Sequence, residues 1–225
     1  FIGGPRQCGK TQIVKEILKY FKSSKNYFNW DSSDHRKIVL AKNWGTERLI
    51  ALDEIHKYPK WKNFVKGIYD TEKESHNFVV TGSARLDIYK RGGDSMFGRY
   101  HYWRLHPFTL NEMPKNISIE EGFKRLIRVG GFPEPFLDSN EQTARRWRKE
   151  RFDLILREDI RDLERVNEIQ NISMLIDLLK TRVGSLIVVS NLASDLQVAS
   201  NTVKRWIEIL ERMYLIFIVR PYTEK

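Results

Sequence analysis

Eight residues near the start of the chain, Gly4 to Thr11, read GPRQCGKT. Glycines at this spacing let backbone N–H groups curl around phosphate oxygens, and the N-terminus of a following helix adds partial positive charge. Lys10 would then reach the β- and γ-phosphates of a nucleotide, and the hydroxyl of Thr11 would ligate Mg²⁺. The alternative is a glycine-bearing turn that binds nothing.

We predict that the whole loop and the first residues after it contact the nucleotide. The predicted contacts are Gly4, Pro5, Arg6, Gln7, Cys8, Gly9, Lys10, Thr11 and Gln12. The ligands implied by these residues are ATP and Mg²⁺. Cys8 is the single cysteine of the chain, so an intrachain disulfide is excluded and a reducing, cytoplasmic compartment is expected.

Two adjacent carboxylates follow the apolar run of RLIALDE. A phosphate-binding ATPase needs an acidic group at a strand end to hold the magnesium shell, and Asp53 has that position. Glu54 comes next and suits a general base that deprotonates the attacking water. Lys10, Glu54 and Arg99 form the predicted catalytic set. The alternative for the acidic pair is a solvated turn.

The segment TGSAR ends another apolar run. Thr81 or Ser83 would contact the γ-phosphate or the attacking water, unless these small residues only form a turn. Arg85 and Arg99 are candidates for an arginine finger, which stabilises charge on the transferred phosphoryl group. We favour Arg99, acting from a neighbouring copy in a homo-oligomer. For each arginine the alternative is a surface salt bridge.

These residues must be positioned by strands that alternate with helices. The segments NYFNWDS, RLIALDE, NFVVTGSAR and RYHYWRLHPF have the character of strands, and FIGG reads as the end of a first strand. KTQIVKEILKYF and WKNFVKGIYDTE have helical periodicity. In the first of these helices Ile13, Ile17, Leu18 and Phe21 lie on one helical face. The order predicts a parallel α/β sheet.

The character of the chain changes near residue 115. We predict an ATPase core over 1–114 with a truncated first strand. A linker or lid would span 115–140, with GGFPEP as a turn, and a helical region with a winged helix would span 141–225. Both ends read as interrupted elements, so we expect a piece of a longer protein.

The segment SNLASDLQVASNTVKRWIEILERM predicts a helix, a turn and a second helix capped by Ser200. The following YLIFIV would be the first strand of a wing. In a helix-turn-helix the second helix enters the major groove of DNA, and here Lys204 and Arg205 would face outward. We also expect Glu208 to pair with Lys204. Such folds also bind proteins, so both partners stay open.

Bulk composition fits a folded, basic protein. Of the 225 residues 41% are hydrophobic, and the net charge of +10 favours anionic partners. The excess lies in residues 1–140, with 24 basic and 16 acidic residues, against 15 and 13 in residues 141–225. No apolar run approaches the roughly 18 residues that a membrane span needs, so no membrane partner is expected.

Several motifs together resemble the bacterial and archaeal AAA-type ATPases of unassigned substrate, which carry a domain of unknown function after the nucleotide-binding domain. The motifs are GPRQCGKT, NWD, LDEIHK, WK, KGIYD, VTGSARLD, GGDS, GRYHYWRLHPF and GGFPEP, in that order along nearly the whole chain. The resemblance implies an ATP-binding RecA-like core and a winged-helix region. It leaves the substrate open.

The sequence therefore predicts an ATP-hydrolysing P-loop protein that acts as a DNA-associated motor or switch on double-stranded DNA. The alternative is a nucleotide-gated regulator with little turnover, or a module whose winged helix binds a protein partner.

Overall fold

A computed structural model describes residues 1–82, 96, 98–160 and 166–222, with no account of the side chains of 166 and 167. The chain divides into two compact units, Phe1–Ser139 and Asn140–Lys225. The segment 115–139, expected as a linker or lid, belongs to the first unit. The strands are β1 (Ile2–Gly3), β2 (Tyr27–Asn29), β3 (Leu49–Asp53), β4 (Asn77–Thr81) and β5 (Trp103–Arg104).

Helices make up most of the remainder. They are α1 (Lys10–Tyr20), α2 (Ser33–Ala41), α3 (Trp61–Glu72), α4 (Ile119–Val129), α5 (Pro133–Asp138), α6 (Glu141–Leu154), α7 (Val166–Lys180), α8 (Val189–Asp195) and α9 (Ser200–Arg212). Short 3-10 turns cover Ser24–Asn26, Ile55–Lys57 and Leu110–Glu112, and a π-helical segment covers Ile155–Ile160.

The strands form one parallel sheet in the order β2-β3-β4-β1-β5. The strand β4 lies between β1, which precedes the glycine loop, and β3, which carries the acidic pair. The pairing register aligns Asn29 with Asp53 and Asp53 with Thr81. Three polar residues therefore form one row where the strands end, and the loop after Gly3 begins at the same edge.

Alternating side chains of β3 pack against helices on opposite faces of the sheet, as a strand with a period of two requires. Ile50 and Leu52 belong to the core cluster that includes Val65 and Ile68 of α3. Ala51 packs on the other face in a cluster with Val14 and Leu18 of α1. Burial on both faces explains why β3 is a continuous apolar run.

The apolar face of α1 is only partly the face that is buried. Val14 and Leu18 are buried, whereas Ile13 is 40% exposed and Phe21 is 60% exposed. Val14 and Leu18 are four residues apart and so lie one above the other on the sheet side. The helix starts directly from the glycine loop, and this starting point sets its rotation.

The segment GGFPEP was expected to be a turn. This is wrong from Pro133 onwards, where a helix begins. Pro133 starts α5, with Phe132 as the residue before the helix. Proline suits the first helical position because its fixed φ is helical and its missing N–H has no intrahelical partner there.

The second unit is helical over its described residues. The buried stripe of α9 is Val203, Trp206 and Leu210, and Met213 directly after the helix is also buried. Lys204 and Arg205 are exposed as expected. Ser200 is the first residue of α9 and Ala199 precedes the helix without a side-chain cap, so the predicted cap was wrong. The predicted α/β fold followed by a helical region is confirmed, whereas residues 216–222 form no strand, and the wing stays a prediction.

Candidate functional site

The loop from Gly4 to Gly9 connects β1 to the N-terminus of α1. Gly9 has φ +95 and Gly4 has φ +146, and a β-carbon at Gly4 would collide with the carbonyl oxygen of Leu105. Gln7 also has a positive φ of 62. This backbone turns sharply against the end of β5, and glycine is needed where it does so. The first N–H groups of α1 lie directly after the loop.

Lys10 is folded back into this loop. Its side chain is buried, and its Nζ donates to the carbonyl oxygens of Pro5 at 2.6 Å and Gly4 at 3.1 Å. Burial lowers the pKa of Lys10, while the negative charges of Glu54 and Asp53 act in the opposite direction. The ammonium group is thus enclosed by the backbone of the loop that would surround a phosphate.

Other loop residues have mixed surroundings. Cys8 is buried, its Sγ donates to the carbonyl oxygen of Leu105 at 3.6 Å, and Lys10 Nζ lies 3.9 Å away. Pro5 is buried, Arg6 is half-buried and Gln7 is exposed. Gln12 is exposed and donates to Glu16 at 3.2 Å. The side chain of Cys8 therefore attaches the loop to the residue after β5.

Asp53 ends β3 and is 2% exposed. Its Oδ2 accepts hydrogen bonds from Thr11 Oγ1 at 2.9 Å and from the hydroxyl of Tyr27 at 2.5 Å. Its Oδ1 accepts a hydrogen bond from Thr81 Oγ1. Three hydroxyls from α1, β2 and β4 therefore converge on one buried carboxylate.

Thr11 and Asp53, expected as the metal-binding pair, are in direct contact. Hydroxyl and carboxylate oxygens are the hard ligands that Mg²⁺ accepts, usually as one or two protein groups together with phosphates and water. The donor set therefore fits the metal ion.

Glu54 follows at the tip of the strand with a left-handed φ of 58. Its Oε2 lies 3.5 Å from Lys57 Nζ and 3.8 Å from His56 Nε2. Burial raises the pKa of Glu54, and the positive charge of Lys57 lowers it. The backbone N–H of Glu54 donates to the carbonyl oxygen of Thr81, which ties this turn to the end of β4.

Arg99 does not join this site within one chain. It lies before β5, at the edge of the sheet where the strands begin, and its Nε donates to Asp70 Oδ1 at 2.8 Å. The loop, Asp53 and Glu54 are at the opposite edge. Ser83 and Arg85 lie outside the described residues.

Sequence reasoning missed Tyr27 as a member of the site. The aromatic character of NYFNWDS predicts a strand but gives no sign that the hydroxyl of Tyr27 meets Asp53. The sequence suggests Thr81 only as a phosphate or water contact, whereas in the structure it donates to Asp53. The alternation of a strand places Tyr27 on the same face of β2 as Asn29, and this is a signal from which Tyr27 could have been considered.

The sheet is parallel, a glycine loop follows β1, and an acidic residue ends β3, with β4 between these two strands. This arrangement defines a P-loop NTPase. This fold implies nucleotide binding. The comparisons with known proteins agree: the AAA domain model matches residues 1–114, which is just over half of the chain. The chain belongs to the AAA domain family. Residues 120–225 match a domain of unknown function, DUF8612.

Similar proteins occur in archaea and bacteria. The chain is 26% identical over 255 residues to uncharacterized protein MJ1544 of Methanocaldococcus jannaschii, covering 100% of this chain and 57% of the relative. It is 23% identical over 223 residues to uncharacterized protein Rv2008c of Mycobacterium tuberculosis, covering 97% of this chain and 49% of the relative. The chain thus spans about half the length of the curated relatives it matches.

Among solved structures, the chain resembles a RuvB variant from Thermotoga maritima, with 15% identity and a TM-score of 0.45. The superposition covers 95% of this chain and 76% of that chain. Within the part of the chain that the structure describes, no helix combines the length and apolar character needed to cross a membrane.

We expect Lys10→Ala to abolish nucleotide binding without unfolding the protein, because the ammonium is held by loop carbonyls and lies outside the two hydrophobic clusters of the sheet. Titration with a fluorescent ATP analogue measures the affinity, and thermal unfolding reports the fold. Lys19→Ala, on the exposed side of the same helix, is the matched control. Unchanged affinity in Lys10→Ala at normal thermal stability would contradict the phosphate role of the loop.

Proposed function

We propose that this chain binds ATP with Mg²⁺ and hydrolyses it. The observation that carries the proposal is the contact of Thr11, at the end of the glycine loop, with the buried carboxylate of Asp53. It supports a common site at one edge of the sheet for the phosphate loop, a metal-binding pair and a second carboxylate. A glycine-bearing turn without a ligand would not require this convergence.

In the proposed reaction the residues of the chain have separate tasks. Backbone N–H groups of the loop and the N-terminus of α1 bind phosphate oxygens. Lys10 neutralises charge on the β- and γ-phosphates, and Thr11 and Asp53 hold the metal ion. Glu54 accepts the proton of the attacking water. A Mg²⁺ ion held there would supply positive charge that neutralises the phosphate oxygens.

We expect Glu54→Gln to keep ATP binding and to lower kcat by about 10²-fold or more, because the amide cannot accept the proton. Asp53→Asn is the comparison: it should weaken the dependence of binding on Mg²⁺. Steady-state phosphate release and a fluorescent-analogue titration separate the two effects. If Glu54→Gln turns over at the normal rate, Glu54 is not the base, and a nucleotide-gated regulator with slow turnover becomes the better account.

Arg99 enters the proposal as a residue supplied by a neighbouring copy. Its position at the far edge of the sheet from its own loop supports action in trans, and its ion pair with Asp70 keeps it on the surface. An arginine from a second copy would stabilise the charge of the transferred phosphoryl group. This requires a homo-oligomer.

We expect the specific ATPase activity to fall on dilution and Arg99→Ala to remove this concentration dependence, because the site would be complete only in an assembly. Activity is measured across a dilution series in which the protein is shown to dissociate. Asp70→Asn breaks the same ion pair but keeps the arginine, and should retain the dependence. Flat specific activity in the wild-type protein would contradict a finger supplied in trans.

We also propose that double-stranded DNA is the partner of the second unit, which makes the protein a DNA-associated motor or switch. The arrangement of α8 and α9 supports this, since Lys204 faces outward on the second helix. Arg205 is also exposed, but its guanidinium donates to Glu168 Oε2 at 2.7 Å, and the indole N–H of Trp206 donates to the same oxygen at 3.2 Å. Glu208 accepts a hydrogen bond from Arg212 at 3.2 Å, whereas the sequence predicted that Glu208 pairs with Lys204.

The involvement of Arg205 with Glu168 favours the alternative that α9 docks a protein. A guanidinium already paired with a carboxylate must give up that pair before it can contact a phosphate or a guanine edge. The second candidate function is therefore a nucleotide-dependent protein-interaction module with the same ATP site.

If α9 reads DNA, changing Lys204 and Arg205 together to alanine should weaken DNA binding and reduce its log–log salt slope by about one for each phosphate that is no longer neutralised. ATP affinity should not change. Glu168→Gln is the control, because it releases Arg205 and keeps both positive charges. DNA binding that is unaffected by the double change would move the DNA surface to the more basic residues 1–140 and leave α9 to a protein partner.

A further inference from the structure

Two pairs of consecutive residues next to the candidate site contact each other. Trp30-Asp31 follows β2, and Lys57-Tyr58 ends the 3-10 turn after Glu54. Lys57 Nζ donates to both carboxylate oxygens of Asp31, at 2.6 and 2.7 Å. The rings of Trp30 and Tyr58 stack with centroids 4.9 Å apart and planes inclined by 25°. We call these four residues the clasp.

The backbone joins the clasp to the site. The backbone N–H of Trp30 donates to the carbonyl oxygen of Asp53 at 2.9 Å. The backbone N–H of Lys57 donates to the carbonyl oxygen of Glu54 at 3.1 Å. Each half of the clasp is therefore hydrogen-bonded to one residue of the acidic pair. The ion pair with Asp31 holds the Lys57 ammonium, while the ring stack and the two backbone hydrogen bonds hold the backbone from which its side chain extends.

Glu54 has few other groups to hold its carboxylate. Within the described ranges, its ion pairs are with Lys57 at 3.5 Å and with His56 at 3.8 Å. A histidine contributes charge only when it is protonated, so Lys57 is the permanent cation. A general base acts well only when its carboxylate is held in the productive geometry by a supporting shell.

We propose that Lys57 is a positioning residue for Glu54: the clasp fixes the ammonium, and the ammonium fixes the carboxylate. The inference rests on the proposed function, in which Glu54 takes the proton of the attacking water. It gives a role to the NWD motif: its aspartate pairs with Lys57, and its tryptophan stacks on the next residue, Tyr58. Lys57 itself touches neither the water nor the phosphate in this account.

The alternative role of the clasp is purely structural, as a tie between the end of β2 and the turn. The ion pair contributes little to this, because the side chain of Asp31 is 55% exposed and that of Lys57 is 32% exposed, and exposed pairs add little stability. Loss of the Lys57 charge should therefore leave the fold nearly intact, and an effect on the reaction can be measured separately.

The test compares Lys57→Met with Lys57→Arg in the full-length protein. We expect Lys57→Met to lower kcat by about 10-fold or more, the size found when a supporting partner is removed. The affinity for a fluorescent ATP analogue should be unchanged, and the Tm should move by no more than a few degrees. Lys57→Arg keeps the charge and should recover most of kcat, and Asp31→Asn should fall between the two. Lys60→Met, an exposed lysine three residues on, is the control.

A double-mutant cycle separates positioning from a general effect. In the Glu54→Gln background, Lys57→Met should cause no further loss of kcat, because the group it positions is already gone. An equal further loss, an unchanged or higher kcat in the single variant, or a parallel loss of affinity and Tm would each overturn the inference. A wild-type protein without ATP hydrolysis would remove the proposed function and this inference together, whereas those three outcomes remove the inference alone.

Discussion

The buried carboxylate of Asp53 is the point on which the arrangement of the first unit depends. A carboxylate that is 2% exposed has lost nearly all access to water, and such a charge is tolerated only when other groups satisfy its oxygens. Here the hydroxyls of Thr11, Tyr27 and Thr81 do so, each from a different element. The start of α1 and the ends of β2 and β4 are therefore positioned around one residue at the end of β3.

Several of the residues with a positive φ lie close to this carboxylate. Gly4 and Gly9 have positive φ in the loop, and Glu54 has a left-handed φ of 58 directly after Asp53. A non-glycine residue in this region is strained, and such strain persists only where the surroundings hold it in place. The hydrogen bond from Glu54 to Thr81 and the 3-10 turn that follows provide this support.

Much of this was accessible from the sequence. The alternation of strand-like and helical segments predicted the parallel sheet. The spacing of GPRQCGKT and the apolar run before Asp53 are local signals, and they predicted a phosphate loop and an acidic group at a strand end. The contacts of Tyr27 and of the clasp were not predicted, because they depend on the pairing register of β2 with β3, which joins residues more than 20 positions apart. The side of α1 that meets the sheet was not predicted either, since the start of the helix from the loop decides which residues are buried.

The central claim is that the loop and Asp53 together form one Mg²⁺-dependent nucleotide site. Calorimetric titration of the wild-type protein with a non-hydrolysable ATP analogue tests it most directly, once with Mg²⁺ and once with EDTA. The account predicts saturable binding of one nucleotide per chain that is at least about 10-fold weaker in EDTA. Absence of saturable binding, or an affinity that is the same with and without the metal, would contradict it.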